Sequence, residues 1–518
     1  MLIYKGVYMI KTIRKNKNST NQESEDNDLK ISLNLLENIN HLEKTFNNCT
    51  DIVIRKLYIA SNPKYKAALI YLDGMLKEEI IELAIINKLI EKTDDKTNNP
   101  GIKKYCQYLL GINDNNMPRQ MNITFQAILN GNAVLFIDGI DSAIIITLKN
   151  PPERNIVEPP VEGCIRGPRE GFTESIRTNT CLLRKKIKNI NLKLEHFTIG
   201  KQTKTDIIVA YLSNIANEKI VEEVRLRLKK IDIDSILDSS YIEEYVKDGG
   251  ILNIFPTVFR TEKPDIAAGK LLEGKIAIIT DGSPTILLVP CIFIEHIQAG
   301  EDYYNNYVIA TIDRGFRFVS FILSLLLPAF WVSISTFHHE LIPTSLVVTV
   351  VKARSGLPFP TLVEAFFMMI AYEIIREAGI RMPEPLGQAI SVVGALVLGQ
   401  SAVSAGLVST PMVIVVAVAG IATYAIPSIE LTRCLIIPRY IFLFLAGTLG
   451  LIGLLSGLLV LLIYLISLRS FGVPYIAPFA PLVVNELKDT IIRAPLSKMN
   501  KRPTLFTWKY SLRSKSKK

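Results

Sequence analysis

Residues 441–468 read IFLFLAGTLGLIGLLSGLLVLLIYLISL, a run without one charged side chain. A helix of that length reaches about 42 Å, more than the ~30 Å hydrocarbon core of a bilayer. Gly447, Gly450, Gly453 and Gly457 recur along it, a pattern that lets helix backbones approach closely. The stretch predicts a tilted membrane-spanning helix. With it comes a chain divided into a soluble part and a membrane part.

The division sharpens on moving outward. Residues 318–468 carry twelve charged side chains in 151 positions and no Asp, whereas upstream the charge density is that of a globular protein. FVSFILSLLLPAFWVSISTF (318–337) is uncharged and long enough to span. Residues 386–429 are uncharged as well, too long for one helix, and predict two that turn near Ser404-Ala405-Gly406. Arg314 and Arg317 precede the first span and Arg469 follows the last. The positive-inside rule then puts both ends in the cytoplasm, which requires an even number of crossings. Four spans satisfy it. Lys352, Arg354, Arg376, Arg381, Arg433 and Arg439 would lie in outside loops, and 338–385 has room for two further crossings or re-entrant pieces.

The N-terminal residues do not read as a signal peptide: Lys5 and Lys11 break the apolar run, and no small-residue cleavage site follows. The soluble part is expected in the cytosol. Six cysteines without a C-x-x-C pair read as reduced thiols, not as a disulfide or zinc framework. The net charge of +10 is concentrated partly in the tail, at Lys498, Lys501, Arg502, Lys509, Arg513, Lys515, Lys517 and Lys518. A tail so close to the last span suits anionic cytoplasmic lipid better than nucleic acid.

The soluble half contains a repeat. AALIYLDGM (67–75), a helical run (76–90) and NAVLFIDGIDSAIIITL (132–148) form one block. TDIIVAYLSNIA (205–216), NEKIVEEVRLRLKKI (217–231) and KIAIITDGSPTILLVP (275–290) form the second. Each reads as strand, helix and hairpin, with Asp138-Gly139 or Asp281-Gly282 at the turn. In 217–231, Ile220, Val221, Val224, Leu228 and Ile231 make one apolar face. Between the blocks, Arg154, Arg166, Arg169 and Arg177 alternate with Glu158, Glu162, Glu170 and Glu174. The mixed signs and the lack of a Walker or dinucleotide glycine pattern argue against a phosphate site. The Pro and Gly density suggests a stiff connector whose charge-assisted pairs fix a neighbouring subunit, with Arg166, Arg169, Glu170 and Glu174 as interface candidates.

The fold class read from these observations is an α/β soluble region of two related subdomains followed by an α-helical multi-pass transmembrane domain. Its boundaries are a flexible segment 1–45, subdomain one 46–150, a connector 151–171, subdomain two 172–311, the helical domain 312–470 and a basic tail 471–518. The polar insert 92–120 interrupts the first subdomain.

LVEAFFMMIAYEIIREAG (362–379) places Glu364, Glu373, Arg376 and Glu377 among membrane-grade neighbours. Glu364 and Glu373 are separated by about 12 Å of helix, too little to span with both charges outside. Glu373, Arg376 and Glu377 share one face, and Glu364 falls on the opposite side. Two placements fit: a helix at the interface, or one that lines a water-filled path inside an assembly, where intramembrane charges are tolerated and usually functional. The His338-His339-Glu340 triplet lacks the second ligand pair of a zinc site and reads as interfacial. No Ser–His–Asp or Cys–His arrangement is legible, and neither an enzyme nor a cofactor is expected.

Several segments together resemble the A-subunit family of spore germinant receptors, the GerA type. They include EGCIRGPREGFTESIRTNTCLLRKKI (162–187), IGKQTKTDIIVAYLSNIAN (199–217), TFHHELIPTSL (336–346), the long run from PFPTLVEAFF (358–367) to MVIVV (412–416), and LRSFGVPYIAPFAP (468–481). The resemblance runs in order from about 120 to 503 and is weakest before residue 120. It implies a multi-pass protein of the inner spore membrane. The implied partners are a B-type, transporter-like subunit, a C-type lipoprotein, and copies of the chain itself in a ring. The implied function is a nutrient-gated monovalent-cation channel that triggers germination. Residues 361–378 would be the pore helix, with Val363 and Phe367 as an apolar constriction that gates by dewetting. Glu364, Glu373 and Glu377 would be a cation-attracting ring, its field reduced by Arg376. A secondary transporter and a non-conducting scaffold are the competing readings.

Overall fold

The computed structural model describes residues 29–76, 78–90, 106, 109–111, 116–147, 162, 166–250, 253–381, 399–507 and 512–513. Expectations for residues 11–28, most of the insert and connector, 382–398 and the last basic residues lie outside the described residues. The chain forms two compact units, Met1–Asn155 with Thr180–Glu195, and Ile156–Asn179 with His196–Lys518.

In the first unit, helix α1 (Leu35–Thr45) lies inside the segment read as flexible. Asn34 caps it by accepting the Leu36 N–H, and Leu35, Ile39 and Leu42 give it a buried face. Strands β1 (Ile52–Tyr58), β2 (Lys66–Leu72), β3 (Ala133–Ile137) and β4 (Ile144–Ile146) pair antiparallel in the order β1-β2-β3-β4. A helical stretch over 78–90 and helix α2 (Met121–Leu129) stand between β2 and β3. β2 and β3 show no polar alternation because both sheet faces are covered. Ala68, Ile70, Leu72, Val134 and Phe136 face one core with α1 and α2. Ala67, Leu69, Tyr71, Leu135 and Ile137 face the other, with Ile81, Ile85 and Leu89. A period of two, apolar in both phases, reads as a continuous apolar run.

A second sheet has the order β5-β6-β8-β9-β7, from β5 (Leu192–Ile199), β6 (Thr205–Leu212), β7 (Phe259–Thr261), β8 (Ile276–Thr280) and β9 (Ile286–Val289). Helix α3 (Ile176–Lys186) precedes it, and α4 (Glu218–Lys230), α5 (Ser239–Val246) and α6 (Pro264–Leu272) are interleaved. The α4 face buries Ile220, Val221, Val224 and Leu228, as its periodicity predicts.

The repeat is written in hydrogen bonds as well as in elements. Asp138 Oδ1 accepts from Leu35 N, the first residue of α1, at 3.0 Å; Asp281 Oδ1 accepts from Ile176 N, the first residue of α3, at 3.1 Å. Gly139 N donates to Leu33 O and Gly282 N to Glu174 O, both at 2.8 Å. Asn38 closes on both backbone groups of Ser32, and Asn179 on those of Thr173. Both turn glycines have φ of +81°, a conformation a side chain would strain. Each repeat therefore begins with a helix, α1 or α3, whose start is pinned by its own β-hairpin turn.

The second unit continues into long helices. α7 (Tyr307–Thr336) is anchored where it starts: Arg314 Nε donates to Asp302 at 2.8 Å and its Nη1 to Asp489 at 2.9 Å, while Arg317 Nη1 donates to Asp302 at 2.7 Å. α8 (Thr344–Arg354), α9 (Thr361–Arg381), α10 (Thr410–Tyr424) and α11 (Ile436–Ser467) follow. Residues 307–336 and 429–467 are long and apolar enough to cross a membrane by length and composition.

The second of these is not one straight rod. At Gly450 (φ 63°, ψ −143°) the backbone leaves the helical region. Cβ atoms built at Gly453 and Gly457 would sit against Leu445 and, for Gly457, Phe442 as well. In a straight helix Phe442 and position 457 would be about 22 Å apart. Cys434 Sγ donates to Ile254 O and Tyr464 Oη to Asn253 Oδ1 at 3.0 Å, so both ends reach one short loop. α11 is a hairpin with arms 436–449 and 451–467. The glycines that read as a helix–helix contact surface make that contact within the stretch itself.

Its tip meets the far end of α7, where Leu451 N donates to His338 Nε2 at 3.4 Å. α9 lies antiparallel to the first arm, with Leu362 against Gly447 and Glu373 bonded to Arg439. It lies parallel to α10, with Glu364 on Ser409 and Tyr372 Oη donating to Gly420 O at 3.2 Å. The start of α7 and both hairpin roots thus share one end of the bundle, the end that carries the β-sheet. The tail packs there too: Tyr475, Arg493 and Phe506 are buried, while Lys498 and Lys501 stay exposed.

Candidate functional site

The sheet-bearing end grips the hairpin at both roots. Ser470 Oγ donates to Thr257 O at 2.6 Å and accepts from Cys291 N at 2.9 Å. Phe471 N donates to Asp248, and the Arg227 guanidinium lies 4.1 Å above the Phe471 ring. His296 Nδ1 is 2.9 Å from Ser428 Oγ, ahead of the first arm. One apolar core runs without a break from Val209, Ile278 and Leu287 to Leu325, Phe442 and Leu454. A displacement of residues 253–257 or 291–296 therefore has a packed route into the long helices.

Beneath that grip lies a buried charge cluster. Glu295, 3% exposed, accepts from Lys270 Nζ at 2.6 Å and from Lys275 Nζ, while Lys275 is wholly buried. Burial alone would raise the Glu295 carboxyl, but the two lysines outweigh it and hold it at about 2. Cys291 Sγ stands 3.2 Å from His296 Nε2, a contact the sequence spacing did not reveal. Burial pushes the His296 imidazole down to about 4 and the Cys291 thiol well up. Both groups stay neutral and are sealed from solvent, which suits packing and not nucleophilic attack.

α9 has two unlike faces. Thr361 and Glu364 are buried, and Ala365 and Met369 are buried against Val332, Met412, Val416 and Leu443. Phe366, Phe367, Ile374 and Glu377 are exposed, and Val363 is half-buried beside them. The five sequence candidates therefore divide. Val363, Phe367 and Glu377 lie on the open stripe, separated by four and then ten residues, about one and about three helical turns. Glu364 and Glu373 face helices of their own chain.

The two inward carboxylates are held differently. Glu373 pairs with Arg376 Nη2 at 2.6 Å and with Arg439 Nη1 at 3.1 Å, and Arg439 Nη2 also donates to Thr423 Oγ1 at 2.8 Å. Glu364, 1% exposed, meets no cation among the described residues: its Oε1 accepts from Ser409 N and Ser409 Oγ. Glu377 on the open stripe bonds Arg381 at 2.7 Å.

The interface candidates of the connector lie at the surface of the second unit: Arg166, Arg169 and Glu174 exposed, Glu170 half-buried. Their backbone is fixed, with Phe172 N donating to Glu262 O at 2.7 Å and Gly282 N to Glu174 O at 2.8 Å. Glu162, which the alternation of signs only counted, accepts from Thr261 Oγ1 at 2.8 Å and Glu262 N at 2.9 Å. Burial pushes its carboxyl up to about 7 against those two bonds. Among the described residues no group of His, Cys, Asp and Glu suits a multi-ligand metal site, and the five described cysteines are free.

A family model described as Bacillus/Clostridium GerA spore germination protein matches residues 40–505. Spore germination protein KA of Bacillus subtilis is 40% identical over 93% of this chain and 88% of its own length. The B. subtilis membrane protein YfkQ is 39% identical over 94% of each chain. Spore germination protein GerLA of Bacillus cereus is 34% identical over 95% of this chain and 99% of its own. Among solved structures, the N-terminal domain of the A subunit of the Bacillus megaterium spore germinant receptor GerK3 matches 51% of this chain and 98% of that one, at 32% identity and a TM-score of 0.41.

Proposed function

The chain belongs to the GerA family of spore germination proteins, and on that premise we propose that it is the A-type subunit of a nutrient germinant receptor in the inner spore membrane. Copies of it assemble in a ring around a path for monovalent cations, with the sheet-bearing units and the tail on the cytosolic side. A B-type, transporter-like subunit takes the nutrient, and a C-type lipoprotein completes the receptor. Arg166, Arg169, Glu170 and Glu174 are the proposed contacts between soluble units, and the exposed lysines of the tail face anionic lipid.

The observation that carries the reading is the open stripe of α9. Phe367 and Ile374 are apolar and exposed, Val363 is half-buried beside them, and the stripe ends in the carboxylate of Glu377. Across a ring, such residues make a constriction with a carboxylate at one mouth, the arrangement that gates by dewetting and favours cations. Nutrient binding in the partner would shift the closed–open balance only by differential affinity. The grip on both hairpin roots supplies a route for that shift.

The test is flux from liposomes that hold the purified assembly. Val363→Ala should release potassium without nutrient, and Glu377→Lys should reduce conductance while assembly persists. If both variants match wild type in flux and germination, the stripe is not the pore. Assembly without any flux would favour the scaffold, and nutrient uptake by the chain alone the transporter.

A further inference from the structure

Glu364 is a buried acid of the helical bundle that no basic side chain answers among the described residues. Its Oε1 sits on the N-terminus of α10, where it accepts from Ser409 N and Ser409 Oγ. That end of a fifteen-residue helix offers roughly half a positive charge. Its Oε2 is buried and has no hydrogen-bond partner among the described residues. One turn earlier on the same face, Thr361 is 2% exposed, and its Oγ1 is buried and unpartnered as well. The two oxygens belong to residues three apart on one helix face, and Ala365 and Met369 of the same helix pack with Val332, Met412 and Leu443. A buried carboxylate without a counter-charge is strongly disfavoured in such surroundings, and a half-charge from a helix end does not cancel it.

We propose that Glu364 Oε2, Thr361 Oγ1 and Ser409 Oγ hold a monovalent metal cation within a single protomer, on the side of α9 that faces away from the proposed pore. Three observations fix the class. The donors are a carboxylate and two hydroxyls, hard oxygen ligands that suit alkali cations and not soft metals. One carboxylate balances one positive charge, whereas a divalent ion would leave an excess charge in an apolar core. A helix N-terminus beside the carboxylate loosens the hold further and favours exchange over permanent retention. The ion ties α9 to α10 at the end of the bundle opposite the sheet, so its occupancy biases how the two helices pack. This binding is a property of one chain and stands whether or not the assembly conducts.

Trp331 packs against the same apolar cluster and is a ready reporter. The experiment uses the full chain in detergent with Trp508→Phe, which leaves Trp331 as the remaining tryptophan. Sodium, potassium and N-methylglucamine chloride are titrated separately at fixed ionic strength, at pH 6 and pH 8. The expected result is a saturable change in Trp331 emission with sodium or potassium and none with the bulky organic cation. Glu364→Gln should abolish it, and Thr361→Val should raise the half-saturation concentration about tenfold or more. An equal response to all three salts overturns the proposal. So does a response to pH alone, which would mean that Glu364 carries a proton instead. If Glu364→Gln fails to fold, the Thr361→Val titration decides: an unchanged midpoint overturns the cation site. Flux is not read here, so a silent channel with intact cation binding would sink the pore and leave this site standing.

Discussion

Glu295 and Glu364 are both acids removed from water, and the molecule treats them in opposite ways. Beneath the hairpin roots, Glu295 is clasped by Lys270 and Lys275. In the helical bundle, Glu364 has, among the described residues, only a serine and a helix end on one of its oxygens. The first arrangement closes its own charge balance and can be permanent. The second leaves a demand that something mobile must meet. Buried charge of the first kind marks architecture, and buried charge of the second kind marks a site.

The largest expected effect falls on the closed cluster. Glu295→Gln would strand Lys275, which is wholly buried, and should cost about 3–5 kcal/mol of stability, read by thermal or denaturant unfolding of the full chain. The folded carboxyl is held at about 2 against an ordinary 4.5. Its stabilisation is therefore present above the ordinary value and lost as pH falls from there towards 2, a loss the Gln variant would lack. A variant as stable as wild type would erase the contrast with Glu364.

Next is the hairpin tip. At φ 63°, ψ −143°, Gly450 occupies backbone space that side chains avoid, so Gly450→Ala should cost about 1–3 kcal/mol. The same change at Gly315, within α7 and with open space at its Cβ, should be neutral or stabilising. Equal effects at both glycines would argue for a straight helix.

Glu162 is an intermediate case, a half-buried acid with hydrogen bonds from Thr261 and Glu262 and, among the described residues, no ion pair. Its folded value of about 7 lies above the ordinary 4.5. The folded state then binds more protons between those values, and stability falls as pH rises through them. Glu162→Gln should flatten that slope, with its stabilising effect seen above pH 7 and absent below pH 4.5. An unaltered slope would show that Glu162 is ionised in the folded chain.

The smallest effect, and the one of opposite sign, is at the open site. In buffer whose only cation is N-methylglucamine, Glu364→Gln should unfold no earlier than wild type, because it removes a charge with no partner. A loss like that at Glu295 would mean that Glu364 has a counter-charge of its own.

Much of the architecture was legible in composition and period. The duplicated strand–helix–hairpin blocks and the apolar face of α4 followed from spacing. The helices that open each repeat were missed, because α1 sits in a polar stretch and its mark is a pair of distant residues: Asn38 folding back on Ser32, and Asp138 reaching Leu35. The uncharged run 441–468 gave no sign of its fold-back, since a glycine reads alike as a contact surface and as a break. Both ends reaching Asn253 and Ile254 is a three-dimensional fact. At α9 the periodicity grouped residues by face but could not say which face its own chain covers. Only packing separated Glu364 from Val363 and Phe367.

That separation is tested most directly by cysteine accessibility along α9 in the assembled receptor. Single cysteines at Phe367 and Ile374 should react with a membrane-impermeant thiol reagent after nutrient is added, while cysteines at Ala365 and Met369 should not. Uniform protection of all four positions before and after nutrient, or labelling of Ala365 and Met369 in preference to Phe367 and Ile374, would contradict the account.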